Sequence, residues 1–342
     1  MTYPDLLTGL TEGGSPAGAQ ITANTTTIQT AIDNKNGPVM FPPGLYKHNP
    51  LTIRSGTSLI GAGNTTEGGN AVEGAFTHLN LVRIGTATTP MLSIGTGVCD
   101  VTIRDIVLDG GLFANNPSCD VVNVADNTNP DQVNLRMERV TVTQSGNYGL
   151  YVGTKRDDVK IYDCAFLYSQ KSGLLTKGPD GVYDSCAFGD NGRDGSSANV
   201  QLQAVVNRVT NCDIWGASGH APYGIYVVAS TTGCVITGNG IDRHDKQGVY
   251  VDTGCYSISI FNNVFHYNSV SANNTYAHCY VKADLAGAAS VDGNVAIYDG
   301  AQGTNAASYL IQGGTIANVL LGSLNYAQVG GTTPGVNTAI HN

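Results

Sequence analysis

The chain has 342 residues, a formal net charge of −9 and 13% charged residues, so no basic patch is dense enough to displace counterions from a phosphate backbone, and nucleic acid is not expected as a partner. Its 44 glycines, asparagine-rich turns and short β-branched runs suit an all-β chain rather than a helical one. No apolar run approaches the roughly 20 residues of a membrane span, and Met1-Thr2-Tyr3-Pro4-Asp5 lacks the charged and apolar regions of a cleaved signal, so neither membrane insertion nor signal-dependent secretion is expected.

In chain order, residues 1–24 are rich in Gly, Ser, Pro and Thr with apolar anchors at Leu6, Leu7 and Leu10, and read as a lead-in or attachment segment. Over 25–33, Thr and Asn cap candidates precede Ile28, Ala31 and Ile32 at helical spacing, and Gly37-Pro38 stops the pattern. This predicts a helix that lids the open end of a stack of strands. Strands are expected around Leu51–Ile53, Ser58–Ile60, Leu79–Ile84 and Met91–Ile94, with regular coils from Val101 to Leu321 and a polar arm over 322–342.

The coils are visible as a repeat. Gly149-Leu150-Tyr151-Val152 returns as Gly224-Ile225-Tyr226-Val227 and Gly248-Val249-Tyr250-Val251, with looser copies at Leu174, Val200, Cys279 and Leu310. Successive anchors are 24, 26, 25, 24, 30 and 31 residues apart, the period of a solenoid. A second block precedes each copy, as in Ile161-Tyr162-Asp163-Cys164-Ala165-Phe166. There Ile161 and Cys164 are three apart, an odd step that reverses strand parity and so requires a corner. Its second residue is Asp105, Arg139, Asp163, Ser185, Asn211, Gly238, Asn262 and Gly293 in turn, mostly types that tolerate a left-handed backbone. Three short strands per coil result, with Cys164, Cys186 and Cys212 in one inward ladder and Phe166, Phe188, Ile214, Ile241 and Phe265 in another. The cysteines at ladder positions read as reduced core thiols. With no Cys-x-x-Cys pair, no metal or other cofactor is expected.

Ala31-Ile32-Asp33, then Val39-Met40-Phe41-Pro42-Pro43-Gly44-Leu45-Tyr46, then Leu59-Ile60-Gly61-Ala62-Gly63 resembles the opening of the pectate-lyase-like β-helix superfamily, especially the tailspike and tail-fibre proteins of bacteriophages. The motif covers residues 28–63, and the coil repeat extends the likeness to residue 321. The resemblance implies an all-β, right-handed parallel β-helix over 25–321 with its capping helix at 25–33. It also implies a homotrimer in the virion tail, assembled in the host cytoplasm with other tail proteins and engaging host cell-surface polysaccharide. Neither the Asn-Thr-Asp, Asp-Asp and Gly-His-Gly set of polygalacturonases nor the Arg-x-Pro-x-x-Arg of pectate lyases is present. A binding or structural role is therefore favoured, the alternative being a depolymerase, hydrolase or lyase, of the host glycan.

The connection into the Gly-φ-Tyr-Val strand varies from 8 to 14 residues, whereas the one leaving it stays between 5 and 8. Variation on one edge of a rigid scaffold marks where function resides. That edge carries Asp190, Arg193, Asp194, Trp215, His220, Asp242, Arg243, His244, Asp245, Lys246, His266 and Tyr267. Asp190, Asp194, Asp242, His244 and Asp245 are the candidate acid and base groups, because glycoside hydrolysis needs paired acids at roughly 5–9.5 Å. The same charges also fit a solvated edge with local salt links. Trp215, His220, Tyr226, Arg243, Tyr250, His266 and Tyr280 are candidate carbohydrate contacts. The tyrosines lie between inward residues and should point outward, where sugar stacking, a subunit interface and simple β-propensity are all open. Arg156-Asp157-Asp158 is the nearest approach to an acidic cluster beside a cation, and reads as a surface turn.

Overall fold

The computed structural model describes residues 6–12, 18–34, 37–63, 77–81, 88–111, 118–271, 276–282, 289–297, 311–313, 319–321, 326–327 and 338–340. The chain is a parallel β-solenoid with one helix among the described residues, and it divides into two compact units, Met1–Gln170 and Lys171–Asn342.

In the first unit the helix Gly18–Asn34 buries Asn24, Ile28 and Ile32. It starts before the expected Thr25 because Thr22, Thr25 and Thr26 are interior residues whose hydroxyls bond back to the carbonyls of Gly18, Ile21 and Thr22. Gln29 completes the open edge of the strand Leu51–Ile53: its Nε2 donates to the Thr52 carbonyl at 2.9 Å and its Oε1 accepts from the Thr52 amide at 2.9 Å. The lid thus satisfies edge groups that would otherwise template another strand. Leu51–Ile53, Leu92–Ile94, Val122–Val124 and Leu150–Val152 stack in parallel. The long strands Val101–Asp109 and Asp131–Thr143 carry the corner within them and pair over both arms. Of the expected strand 79–84, the structure has Thr77–Leu81, and residues 82–87 lie outside the described residues. Arg156 is fully buried rather than in a surface turn, with Nη1 on Asp131 at 2.7 Å and Nη2 on the Val98 carbonyl at 2.9 Å.

In the second unit each coil has three strands, for example Val182–Asp184, Ala187–Gly189 and Val200–Leu202. Phe188, Ile214, Ile241 and Phe265 pair in register and are buried, continuing to Ala296. The cysteine column holds Cys186 and Cys212 and then changes chemistry. Asn239, Asn263 and Asn294 take the same corner and are bonded to one another, with the Nδ2 of Asn239 on the Oδ1 of Asn263 and the Nδ2 of Asn263 on the Oδ1 of Asn294, both at 2.9 Å. Each also satisfies buried amides of the preceding corner. All eight corner residues, Arg139 and Ser185 among them, have φ between 50° and 71°. All eight cysteines are free, and only Cys99 is not buried.

Two register details differ from expectation. Cys279 pairs with Ile311, one residue beyond the expected Leu310, which itself lies outside the described residues. Tyr326–Ala327 and Thr338–Ile340 pair with Val295–Ile297 and Ile311–Gly313, so coil pairing runs on into 322–342.

Candidate functional site

All the candidate residues lie in the second unit, and the structure sorts them onto two sheets. On the sheet of Ile225–Val227, Val249–Val251 and Cys279–Val281, inward valines, Ile225 and Cys279 are buried, which turns Tyr226, Tyr250 and Tyr280 outward, half-buried, at one register position. Tyr226 and Tyr250 are 5.5 Å apart edge to face, and Tyr250 and Tyr280 are stacked at 5.3 Å and 15°. Tyr223 widens the stripe, 5.5 Å from Tyr226 and 4.8 Å from Tyr250. Lys246 Nζ stands 5.9 Å from the ring centres of both Tyr223 and Tyr276, a cation over aromatic faces. At the other end Asp252 accepts from the Tyr226 hydroxyl at 2.6 Å and pairs with Lys282 at 3.0 Å. Burial tends to raise the Asp252 carboxyl, but these donors and the Thr253 amide outweigh it and hold it below the usual range. Tyr223, Tyr276, Asp252 and Lys282 were not among the sequence candidates. The second tyrosine of Tyr223-Gly-Ile-Tyr226 was, and the first lies two residues before the strand Ile225–Val227, so the doubled motif is the signal.

On the other sheet, Gly189, Trp215, Asp242 and His266 occupy one outward column. The indole covers Gly189, where a Cβ would stand 2.1 Å from Trp215 Cζ2; only glycine admits the ring. Asp242 is bonded through Oδ2 to Arg243 Nε at 2.8 Å, while its Oδ1 is buried without a hydrogen-bond partner among the described residues. Burial raises its carboxyl above the usual range, against the lowering effect of Arg243 and His266 and with a smaller raising contribution from Asp213. His266 Nε2 and His220 Nδ1 are also buried and unpartnered among the described residues. Asp190 is half-buried, and its amide donates to the Trp215 carbonyl at 3.2 Å.

Three candidates serve the loops instead. Asp194 closes its own turn, accepting from the Ser196 and Ser197 amides at 3.0 and 2.9 Å and from the Ser197 hydroxyl at 2.9 Å. Asp245 accepts from the Gly219 amide of the preceding coil. His244 is fully buried, not at the edge. Its Nε2 faces Asn199 Nδ2 at 2.8 Å and its Nδ1 faces Asn268 Oδ1 at 2.9 Å, a pattern that puts the ring proton on Nδ1. Burial lowers its pKa to about 4, and with both nitrogens occupied it has no atom left for a substrate. The loop folds inward here because Asn199 also holds the Trp215 carbonyl and Asn268 holds that of Ile241, so the polar interior needs the imidazole as its bridge.

A sequence profile described as right-handed beta helix region matches residues 121–314. The chain belongs to the right-handed β-helix family. Among solved structures with this β-helix, the enzymatically active domain of tailspike protein 2 from bacteriophage CBA120 has a TM-score of 0.70 at 15% identity, covering 90% of this chain and 45% of that one. ORF18 of Geobacillus virus E2 has a TM-score of 0.60 at 17% identity, covering 93% and 58%. The A-module of mannuronan C-5 epimerase AlgE4 from Azotobacter vinelandii has 0.57 at 18% identity, covering 93% and 96%. This β-helix chain therefore spans less than half of the CBA120 tailspike chain, and at such identities the likeness is one of fold. No curated protein matches the sequence. Among the described residues no helix is long and apolar enough to cross a membrane, and no cluster of three or more His, Cys, Asp or Glu side chains is placed to hold a metal ion.

Proposed function

We propose that this β-helix chain is a bacteriophage tail component, a tailspike or tail fibre, that adsorbs to host cells by binding envelope polysaccharide. In this reading it is a homotrimer, assembled in the host cytoplasm and joined in the virion to other tail proteins. The observation that supports it is the half-exposed stack of Tyr226, Tyr250 and Tyr280, bordered by Lys246, Asp252 and Lys282. Apolar ring faces next to charged, hydrogen-bonding groups suit a sugar, whose own faces are apolar and whose rim is hydroxyl. Trp215, His220, Arg243 and His266 are proposed as further contacts on the neighbouring sheet. Incubation with capsular polysaccharide and lipopolysaccharide from candidate hosts should give saturable binding by calorimetry, and sedimentation should give three times the monomer mass. Absence of binding to every host glycan tested would refute adsorption, and a monomer would refute the trimer.

A second reading, cleavage of the bound glycan, is supported by the unpartnered, raised carboxyl of Asp242 in the outward column. Perturbed carboxyls of this kind concentrate at catalytic sites.

A further inference from the structure

The tyrosine face has a second column beside the first. Tyr226, Tyr250 and Tyr280 share one register position on three consecutive coils. In the connections that lead into those same strands stand Tyr223, Lys246 and Tyr276, two or three residues before Ile225, Val249 and Cys279. The second column is thus ring, ammonium, ring: Lys246 comes from the middle coil, and its Nζ is 5.9 Å from the ring centres of the preceding and the following coil. Lys246 is half-buried, and both neighbouring coils hold its backbone. Its amide donates to the Pro222 carbonyl at 2.9 Å, and its carbonyl accepts from the Ser269 amide at 2.7 Å.

An ammonium drawn partly out of water is stabilised by an opposite charge. Lys246 has none: the ion pairs among the described residues do not include it. Asp245, next to it in the chain, accepts instead from the Gly219 amide at 3.2 and 3.1 Å. Asp252, at the other end of the face, is matched by Lys282 at 3.0 Å. Burial, with Asp252 adding to it, raises the hydroxyls of Tyr223, Tyr226 and Tyr250 above the ordinary tyrosine value, so these rings are neutral and supply no negative charge either. Of the three charged groups that border the rings, Lys246 alone is unmatched, and its sign is opposite to the formal net charge of −9 on the whole chain. A lysine ammonium is a compact point charge without the planar fork of an arginine, so it recognises negative charge rather than one anion geometry.

We propose that Lys246 makes the tyrosine face selective for a polysaccharide with an anionic substituent, a sugar carboxylate or a phosphate, which meets the ammonium while the sugar rings lie against the tyrosines. This rests on the polysaccharide-binding reading above and adds the charge of the ligand to it.

Calorimetric titration compares a uronate-containing capsular polysaccharide before and after reduction of its carboxyls to alcohols, and a phosphorylated lipopolysaccharide before and after removal of its phosphates. Loss of the anionic group should weaken wild-type binding by about tenfold, the scale of a charge-assisted hydrogen bond, and added salt should weaken the charged forms only. The treatment that weakens binding identifies the source of the charge. Lys246→Met, which keeps the apolar stem, should bind charged and neutral forms equally, and Lys246→Arg should retain the preference. Wild-type binding that ignores both treatments, or a preference that survives in Lys246→Met, overturns the proposal; contact of the lysine with the rings alone predicts no preference. A second measurement needs no polysaccharide. With the lysines dimethylated by carbon-labelled formaldehyde and the Lys246 signal assigned by its loss in Lys246→Met, free glucuronate or inorganic phosphate should shift that NMR signal saturably and glucose should not. No shift with either anion overturns the charge site. Failure of every polysaccharide to bind counts against the adsorption reading alone and leaves this titration to judge Lys246.

Discussion

Tyr148-Gly149-Leu150-Tyr151-Val152 in the first unit and Tyr223-Gly224-Ile225-Tyr226-Val227 in the second are nearly the same pentapeptide, and they fold alike. Their tyrosine pairs are 5.9 and 5.5 Å apart, and in each the second hydroxyl donates to an aspartate of a neighbouring coil, Asp126 at 2.9 Å and Asp252 at 2.6 Å. What differs is the register partner. Tyr151 pairs with Asn123, whereas Tyr226 pairs with Tyr250, which pairs with Tyr280. A local motif thus fixes which way a ring points, and the coil repeat decides whether the rings accumulate into a surface.

The polar interior separates the units further, and acid should expose the difference most strongly. The second unit buries His244 and His278, held at about 4 and about 3 by burial, while the first buries His48 at about 4. All three lie below the ordinary histidine value of 6.5, so between that pH and the folded values the unfolded chain binds more protons. Stability is full above pH 6.5 and is lost as pH falls toward 4, by up to about 1.4 kcal/mol per pH unit for each histidine. Hydrogen exchange resolved by unit should show the second losing protection about twice as steeply as the first. Equal slopes would mean that the imidazoles are not the cause.

A smaller effect is expected from the asparagine column. Asn263→Ala takes the side-chain acceptor from the Asn239 amide, one of two acceptors from the Asn239 Nδ2, and the side-chain donor from the Ile236 carbonyl, while Asn294 Oδ1 keeps the amide of residue 263, at about 1–3 kcal/mol for each buried group left unpaired. A loss of about 3 kcal/mol, read as a shift in the denaturant midpoint, is expected in the second unit. Least of all, Arg243→Gln should change stability by less than about 1 kcal/mol, because the arginine side chain is 57% exposed. It should still raise the Asp242 carboxyl further, since Arg243 is the largest of the groups that lower it; a fall on NMR titration would show that burial is not in control.

Much of this was legible in the sequence because strand parity is strict. The odd step before Cys164, Cys186 and Cys212 locates corners, and every predicted corner residue has a left-handed backbone. The outward tyrosines follow from the same alternation. Loops have no such period. The carboxylates of Asp194 and Asp245 turn toward backbone amides, and His244 turns inward, because of donors and acceptors supplied by Ser196, Gly219, Asn199 and Asn268. Asp194 closes its own turn on Ser196 and Ser197, whereas the contacts of Asp245 and His244 come from other coils and leave no local signature.

The most direct test of the accumulated surface compares two single substitutions in calorimetric titrations with a host envelope polysaccharide. Tyr250→Ala removes the middle ring of the stack, and Tyr151→Ala removes the equivalent ring in the first unit, whose register partner is Asn123 rather than a tyrosine. Tyr250→Ala should weaken binding by about tenfold or more, the scale of a central aromatic contact, and Tyr151→Ala should leave it unchanged. Equal losses, or a loss only in Tyr151→Ala, would contradict a binding face built by stacking tyrosines on consecutive coils.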